Sequence, residues 1–342
     1  MGDGTVDDII IVDRLEKNFE DIRAVDGISF SVQRGEIFGF LGPNGAGKST
    51  TIKVLTTLIR KDEGEVLIDG LDLSKQPDQV RRIIGYASQE VGVDNDLTAR
   101  ENLYIQCRYY HLPKERAREK VESLLRTVNL AGAGDRKLST FSGGMRKRLD
   151  LATALVSDPK VLFLDEPTTG LDPKSRRELW DYIRLLNRQG ATIFLTTQYM
   201  EEADQLADRL CIIDQGRIVS EGVPESLKAQ IGGDTIAISF PDDPELISRA
   251  KDLLGGLPQV RDIRDCEIDD ICENGLVLTV TDGSSAMPLV VRTLDGQGIE
   301  IKKLTLAEPT LDDVFLKLTG RTLKVSEKED GSRKGRRGRR SR

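Results

Sequence analysis

Along the chain, short apolar runs alternate with segments whose apolar residues recur every three or four positions. Residues 9–12 form an apolar run and 28–32 alternate with period two, which predicts two strands. Residues 36–41 form an apolar run with aromatics that ends at Gly42, the pattern of a buried strand. Residues 49–59 then carry apolar positions at helical spacing. The stretch 97–131 also reads as helical, with a new start at Pro113. After it the pattern predicts helix 143–156, strand 161–164, helix 174–188, strand 192–196, helix 200–208 and strand 210–214. Strands alternating with helices imply an α/β core with a largely parallel sheet, into which a helical subdomain of about 90–140 is inserted.

A second unit begins near Gly232. Its predicted elements run strand 235–240, helix 245–254, a strand near 260, strand 275–280, helix 285–294 and strand 299–306. The order βαββαβ suggests a small ferredoxin-like α+β domain over 232–321. Glu308-Pro309-Thr310 opens a last helix, 311–318. No catalytic constellation stands out in this unit, and a structural or dimerising role is the expectation for it.

With 342 residues the chain is long enough for two domains, each burying its own core. The apolar share of 38% and charged share of 31% are ordinary for a soluble protein. No stretch approaches the roughly 20 apolar residues that cross a bilayer. The start, MGDGTVDDII, has neither the basic nor the apolar region of a secretory signal. The expectation is a cytoplasmic chain whose membrane role comes through a partner. Cys107, Cys211, Cys266 and Cys272 are dispersed, and His111 is the single histidine, so a zinc set is not expected and the cysteines read as reduced. The net charge is −7, but residues 326–342 hold eight basic and three acidic residues, so the remainder carries −12. An acidic body argues against broad electrostatic binding to nucleic acid. The basic tail, 322–342, reads as disordered and as a solvated end, with contact to anionic lipid or RNA as the other reading.

GPNGAGKS at 42–49 fits the pattern G-x-x-x-x-G-K-[ST], between a predicted strand and a predicted helix. Gly42, Pro43, Asn44, Gly45, Ala46 and Gly47 give a loop whose backbone N–H groups can converge on phosphate oxygens. Lys48 is placed to reach the β- and γ-phosphates of ATP, Ser49 to bind Mg²⁺, and Thr50 to bond the α-phosphate. VLFLDEP at 161–167 delivers Asp165 and Glu166 to the carboxyl end of a buried strand, where ligands of parallel sheets bind. Asp165 is the expected Mg²⁺ carboxylate and Glu166 the general base for the attacking water. FSGGMRKRLD at 141–150 supplies an N-cap, Ser142, with Gly143 and Gly144 opening a second anion-binding helix start. One nucleotide site has no need of two such helix ends on its γ-phosphate, unless they come from different molecules.

The three motifs together resemble the nucleotide-binding subunits of ABC transporters, over roughly 7–225. That resemblance implies a P-loop NTPase fold and a head-to-tail homodimer, in which Ser142 and Gly144 of one copy close over ATP held by Lys48 of the other. Gln89, in IGYASQE, resembles the loop glutamine that contacts Mg²⁺ and links the site to the helical subdomain. Phe19 lies where an aromatic of this family stacks on adenine, worth about 1–3 kcal/mol by analogy with base stacking, with a core phenylalanine as the other reading. Gly170-Leu171-Asp172 resembles the loop that couples the two sites across the dimer. One position departs: TTQYMEEAD places Gln198 where the family usually has a histidine. An amide donates a hydrogen bond to phosphate but cannot become cationic, so Gln198 cannot shuttle a proton and Glu166 is left as the base.

SGGMRKRL, the residues after Gln198, and the closing EPTLDDVFLKLTGR narrow the resemblance to the ATPases of daunorubicin-resistance type multidrug or antibiotic exporters, extending it to about 321. It implies a separate integral-membrane permease, a peripheral place on the cytoplasmic side of the membrane, and no nucleic acid partner. The alternatives are a soluble ATPase of this superfamily acting on ribosomes or DNA, and a phosphate-loop kinase. A single cassette without sustained heptads speaks against the first, and the residues 142–144 with Glu166 against the second. Drug, lipid, polysaccharide precursor and peptide are all compatible with the sequence as cargo.

Overall fold

The structure is a computed structural model that describes residues 8–89, 92–230, 232–266 and 274–320. The chain opens with a long hairpin of β1 (Asp8–Phe19) and β2 (Ile22–Gln33), followed by β3 (Ile37–Leu41) and α1 (Lys48–Leu55). Next come β4 (Glu63–Ile68), β5 (Leu71–Asp72), α2 (Pro77–Ile83) and β6 (Ile84–Ala87). Three helices follow, α3 (Ala99–Tyr109), α4 (Lys114–Thr127) and α5 (Gly143–Ala154). The α/β alternation resumes with β7 (Val161–Asp165), α6 (Pro173–Arg188), β8 (Thr192–Thr197), α7 (Met200–Leu206), β9 (Arg209–Asp214), β10 (Arg217–Gly222) and α8 (Pro224–Ala229). The last part holds β11 (Asp234–Ser239), α9 (Pro244–Gly255), β12 (Val260–Asp265), β13 (Gly275–Val280), α10 (Gly283–Asp295), β14 (Lys303–Ala307) and α11 (Leu311–Thr319).

Two sheets build the larger part. One is antiparallel, in the order β2-β1-β4-β5; the other runs β10-β9-β3-β8-β7-β6, parallel from β9 to β6. Every residue of β3, β7 and β8 is buried, which explains the apolar runs at their centres. Phe30 of the first sheet packs among Phe38, Phe40 and Phe194 of the second, with ring centroids 5.5–5.9 Å apart. That cluster fixes one sheet against the other and thereby the loop that follows β3.

The helical subdomain packs Leu103, Cys107, Val121 and Leu125 of α3 and α4 around Leu149, Ala152 and Val156. Helix α5 is shared: Leu151 and Ala154 turn the other way, against Leu162, Leu164 and Leu179 of the α/β core. Thr98 and Glu101 form a reciprocal capping box that starts α3, and Pro113 sits at the cap of α4.

The C-terminal unit is βαββαβ, with the antiparallel order β12-β13-β11-β14. Helices α9 and α10 cover the face of Ile236, Ile238, Leu276 and Leu278. Its final strand is shorter than the pattern suggested, because the Ile299 N–H bonds back to the Leu294 carbonyl at the end of α10 and pairing with β11 starts at Lys303. Helix α11 leaves this unit altogether. Leu311, Val314 and Phe315 pack against Met200, Ala203, Ala207 and Leu227 of the ATPase part.

Among the described residues no helix is long and apolar enough to cross a membrane. Cys107 and Cys211 are free and buried, but Cys266 is disulfide-bonded, so the expectation of reduced cysteines fails at that position. The basic tail, 322–342, lies outside the described residues.

Candidate active site

The phosphate loop hangs between β3 and α1. The Gly42 N–H donates to the Thr197 carbonyl at 3.2 Å, tying the start of the loop to the end of β8. Gly47 has φ +107°, and a Cβ there would lie 2.5 Å from the Ala24 carbonyl oxygen, so no other residue fits. The next residue, Lys48, is buried. Its ammonium donates to the carbonyls of Gly42 at 2.8 Å and Pro43 at 3.0 Å and stands 3.4 Å from Glu166 Oε1. Burial lowers the lysine pKa, against the opposing pull of Glu166 and Asp165.

Strand β7 brings the two carboxylates to the same edge. Asp165 Oδ1 accepts from the Thr196 hydroxyl at 2.6 Å and from the Ser49 hydroxyl at 3.2 Å. Ser49 and Asp165 thus form a hard-oxygen pair beside the loop, a donor set that fits Mg²⁺ better than a softer metal. Glu166 has left-handed backbone, φ +46°, a conformation that costs a non-glycine residue about 1–3 kcal/mol. Its N–H is held by the carbonyl and hydroxyl oxygens of Thr196, each at 3.1 Å. The turn aims the Glu166 carboxylate at the cleft. There Oε1 faces Lys48, while Oε2 accepts from Gln89 Nε2 and the Thr169 hydroxyl, both at 3.3 Å.

A cleft of about 550 Å³ opens over these groups. Asn44, Gly45, Gly47, Lys48, Ser49, Thr50, Gln89 and Glu166 line it, so most of the expected loop residues and both side chains that face the loop meet there. Gly42, Pro43, Ala46 and Asp165 support the cleft from behind. The opposite wall is Ile22, Arg23, Ala24, Gln215 and Gly216, which the sequence reading missed. Gly216 joins this wall to the loop, accepting from the Asp26 N–H at 2.9 Å and donating to the Ala46 carbonyl at 3.0 Å.

Phe19 ends β1 three residues before Ile22, outside the cleft lining. It is 46% exposed, which removes the core reading, and the Lys17 ammonium sits 5.3 Å from its ring centre. Ser142, Gly143, Gly144, Asp172 and Gln198 are likewise absent from the lining of this chain's own cleft. Ser142 caps α5, accepting from the Met145 N–H at 3.3 Å. At Gly144 a Cβ would come 2.8 Å from the Ser175 hydroxyl oxygen and 2.9 Å from its Cβ, so this glycine lets α5 meet the start of α6. Asp172 caps α6 and is held below the usual carboxylate range, chiefly by the Ser175 hydroxyl. Gln198 is half-buried immediately after β8.

A glycine loop between a buried strand and a helix start, facing an Asp-Glu pair at the end of β7, one strand beyond β8 in the same sheet, defines a phosphate-loop ATPase. Residues 25–169 match the ABC transporter family model, and 222–319 match the C-terminal domain of ATP-binding proteins like DrrA1-3. The chain belongs to the ABC transporter ATP-binding proteins of the daunorubicin-resistance group. It is 42% identical to the daunorubicin resistance ATP-binding protein DrrA2 of Streptomyces coeruleorubidus, over 93% of this chain and 97% of that one. It is 40% identical to the Nod factor export ATP-binding protein I of Burkholderia pseudomallei, over 91% and 96% of the two chains. Among solved structures, it resembles the dimeric post-hydrolysis state of the ATP-binding cassette MJ0796 bound to ADP and phosphate, with a TM-score of 0.57 and 26% identity over 63% of this chain and 98% of that one.

Proposed function

We infer that the chain is the ATP-hydrolysing subunit of an exporter, working as a homodimer on a separate membrane permease from the cytoplasmic face. The observation that carries this reading is the division of the motif set. Lys48, Gln89 and Glu166 share one cleft, whereas Ser142, Gly143 and Gly144 stand outside it. A second copy, head to tail, brings those residues over the nucleotide. Ser49, Asp165 and Gln89 would hold Mg²⁺, which when bound supplies charge neutralisation at the β- and γ-phosphate oxygens.

Glu166 is the water-activating base. Its carboxylate is fixed from three sides, by Lys48, Gln89 and Thr169, so it enters the reaction already oriented. Lys48 must give up its present acceptors to take a phosphate oxygen, and Gln198 serves as a neutral donor to the γ-phosphate. Phe19 and Ile22 flank the adenine end, and Asp172 faces the partner's site across the dimer.

The permease docks, in this reading, on the groove between α2, β6 and α3, which is lined by Leu58, Arg81, Tyr86, Gln106 and Tyr110. Leu58, Ile105 and Tyr109 are exposed around it, a patch of the kind that protein partners cover. The names of the relatives point to drug-like or other partly hydrophobic cargo. Those relatives are named for drug resistance and for Nod factor export, and the ribosome or nucleic-acid alternative finds no support among them.

The test is Glu166→Gln. With ATP and Mg²⁺ the variant is expected to release no phosphate and to run as a dimer on gel filtration. A variant that turns over normally, or stays monomeric at saturating ATP, overturns the reading.

A further inference from the structure

Helix α5 does two things at once. Its first turn carries Ser142, Gly143 and Gly144, and its next turns grip the segment that follows β6. Lys147 is 9% exposed, and its ammonium donates to the Gln89 carbonyl at 2.6 Å and to the Ser88 carbonyl at 3.4 Å. Three residues on, Asp150 is also buried and accepts from the Gly92 N–H at 3.1 Å. The two side chains therefore hold Ser88, Gln89 and Gly92. The Gln89 side chain, between those grips, donates to Glu166.

Packing alone does not account for Lys147. Taking an ammonium out of water costs several kcal/mol unless strong partners compensate, and an apolar residue fills such a place at lower cost. Among the described residues Lys147 has no carboxylate within 4.0 Å, and the hydrogen bonds it makes go to the two carbonyls of this segment. Burial lowers its pKa, against the longer-range pull of Asp150, Asp165 and Glu166. The charge is thus committed to the position of Gln89.

We propose that Lys147 and Asp150 are positioning residues that tie the Ser142–Gly144 end of α5 to Gln89, and through it to Glu166, so that closure over the partner's ATP sets the base in the chain's own site. The proposal rests on the dimer reading given above. It makes α5 the link by which two bound ATP molecules are hydrolysed in concert. A rigid helix whose successive turns serve different nucleotides supplies the differential contact that coupling between sites requires.

The experiment uses the full chain with ATP and Mg²⁺, and compares Lys147→Met, Lys147→Arg and Asp150→Ala with the unsubstituted protein. Steady-state rates over a range of ATP concentrations give kcat, KM and the Hill coefficient, and a fluorescent ATP analogue gives Kd. The unsubstituted protein is expected to show a Hill coefficient above 1. Lys147→Met is expected to lose about tenfold or more in kcat, with a Hill coefficient falling to 1 and Kd within about threefold. Lys147→Arg should restore cooperativity, and Asp150→Ala should lower it, which gives an independent reading if the methionine variant does not fold. A non-cooperative unsubstituted enzyme, or Lys147→Met and Asp150→Ala with unchanged kcat and Hill coefficient, overturns the proposal. If Glu166→Gln still forms the ATP-dependent dimer in that case, the coupling role alone has failed; if it does not, the dimer reading has failed first.

Discussion

The ammonium of Lys48 stands 3.4 Å from Glu166 Oε1, and both side chains are almost fully buried. The groups proposed to grip phosphate and to activate water are therefore already paired within one chain. Two carbonyls, from Gly42 and Pro43, complete the lysine's shell. A phosphate oxygen that enters the cleft has to compete with three acceptors for this one cation. In the proposed mechanism that competition separates the ion pair and frees the Glu166 carboxylate for the attacking water.

Replacing Lys48 by Ala consequently has two expected effects. It leaves Glu166 buried without its cation, and removing one member of a buried pair costs about 3–5 kcal/mol. It also removes the charged donor to phosphate, so ATP affinity should fall by about tenfold or more. Thermal melts and nucleotide titrations on the same preparation separate the two. A variant with the melting temperature and affinity of the unsubstituted protein would show that the pair contributes to neither.

Gly144 is expected to report on the contact between α5 and α6. A methyl group there collides with Ser175, whose hydroxyl also holds the Asp172 cap. Gly144→Ala should push α5 away from α6 and misplace Ser142 and Asp172 together. The chain's own cleft, which none of these residues line, should still bind nucleotide. ATPase activity reduced about tenfold or more, with an ATP Kd changed less than threefold, is the expected pair of results. Equal losses in both would show that Gly144 acts on the cleft of its own chain.

How much of this was legible in the text of the chain follows from what each strand touches. β3, β7 and β8 are buried on both faces, so their apolar runs and the motifs at their ends stand out. β4, β10 and the short α2 are half-exposed and interrupted by charges, and no periodic signal marks them. The missed cleft wall has a different cause. Ile22 opens β2 and Gln215 lies in the turn between β9 and β10, and the Gly216 bonds to Asp26 and Ala46 tie that turn to the phosphate loop, a long-range fact with no local pattern. Helix 311–318 was readable as amphipathic, but amphipathicity does not say which neighbour the apolar face will meet.

Asp150 gives a pH dependence with a definite sign. Burial raises its pKa from the ordinary 3.8 to about 6, against the lowering effects of the Gly92 N–H and Lys147. Between about pH 4 and 6 the folded chain keeps a proton that the unfolded chain has released, so stability falls as pH rises through that window and stays lower above it. The carboxylate at pH 7 thus costs up to about 3 kcal/mol relative to the neutral acid. Asp150→Asn keeps an acceptor for Gly92 without the charge. It should raise the melting temperature at pH 7 and flatten the decline between pH 4 and 6. An unchanged melting curve across that range would place Asp150 in a wetter setting than its burial indicates.

Phe315 tests whether the C-terminal helix is part of the ATPase core. Its side chain is 2% exposed and belongs to one cluster with Leu41, Met200, Ala203, Leu210 and Leu227. Leu41 is the last residue before the phosphate loop, and Met200 lies two residues after Gln198. Phe315→Ala removes a buried aromatic from between these elements, at an expected cost of about 3–5 kcal/mol. If α11 braced only the small domain, the loss would stay there and nucleotide would bind as before. Since the cluster lies behind β3 and α7, the variant should instead melt the ATPase part earlier, with faster amide exchange in 41–56 and 198–207. Exchange that quickens in β11 to β14 while the phosphate loop stays protected would reverse that assignment and return α11 to the C-terminal unit.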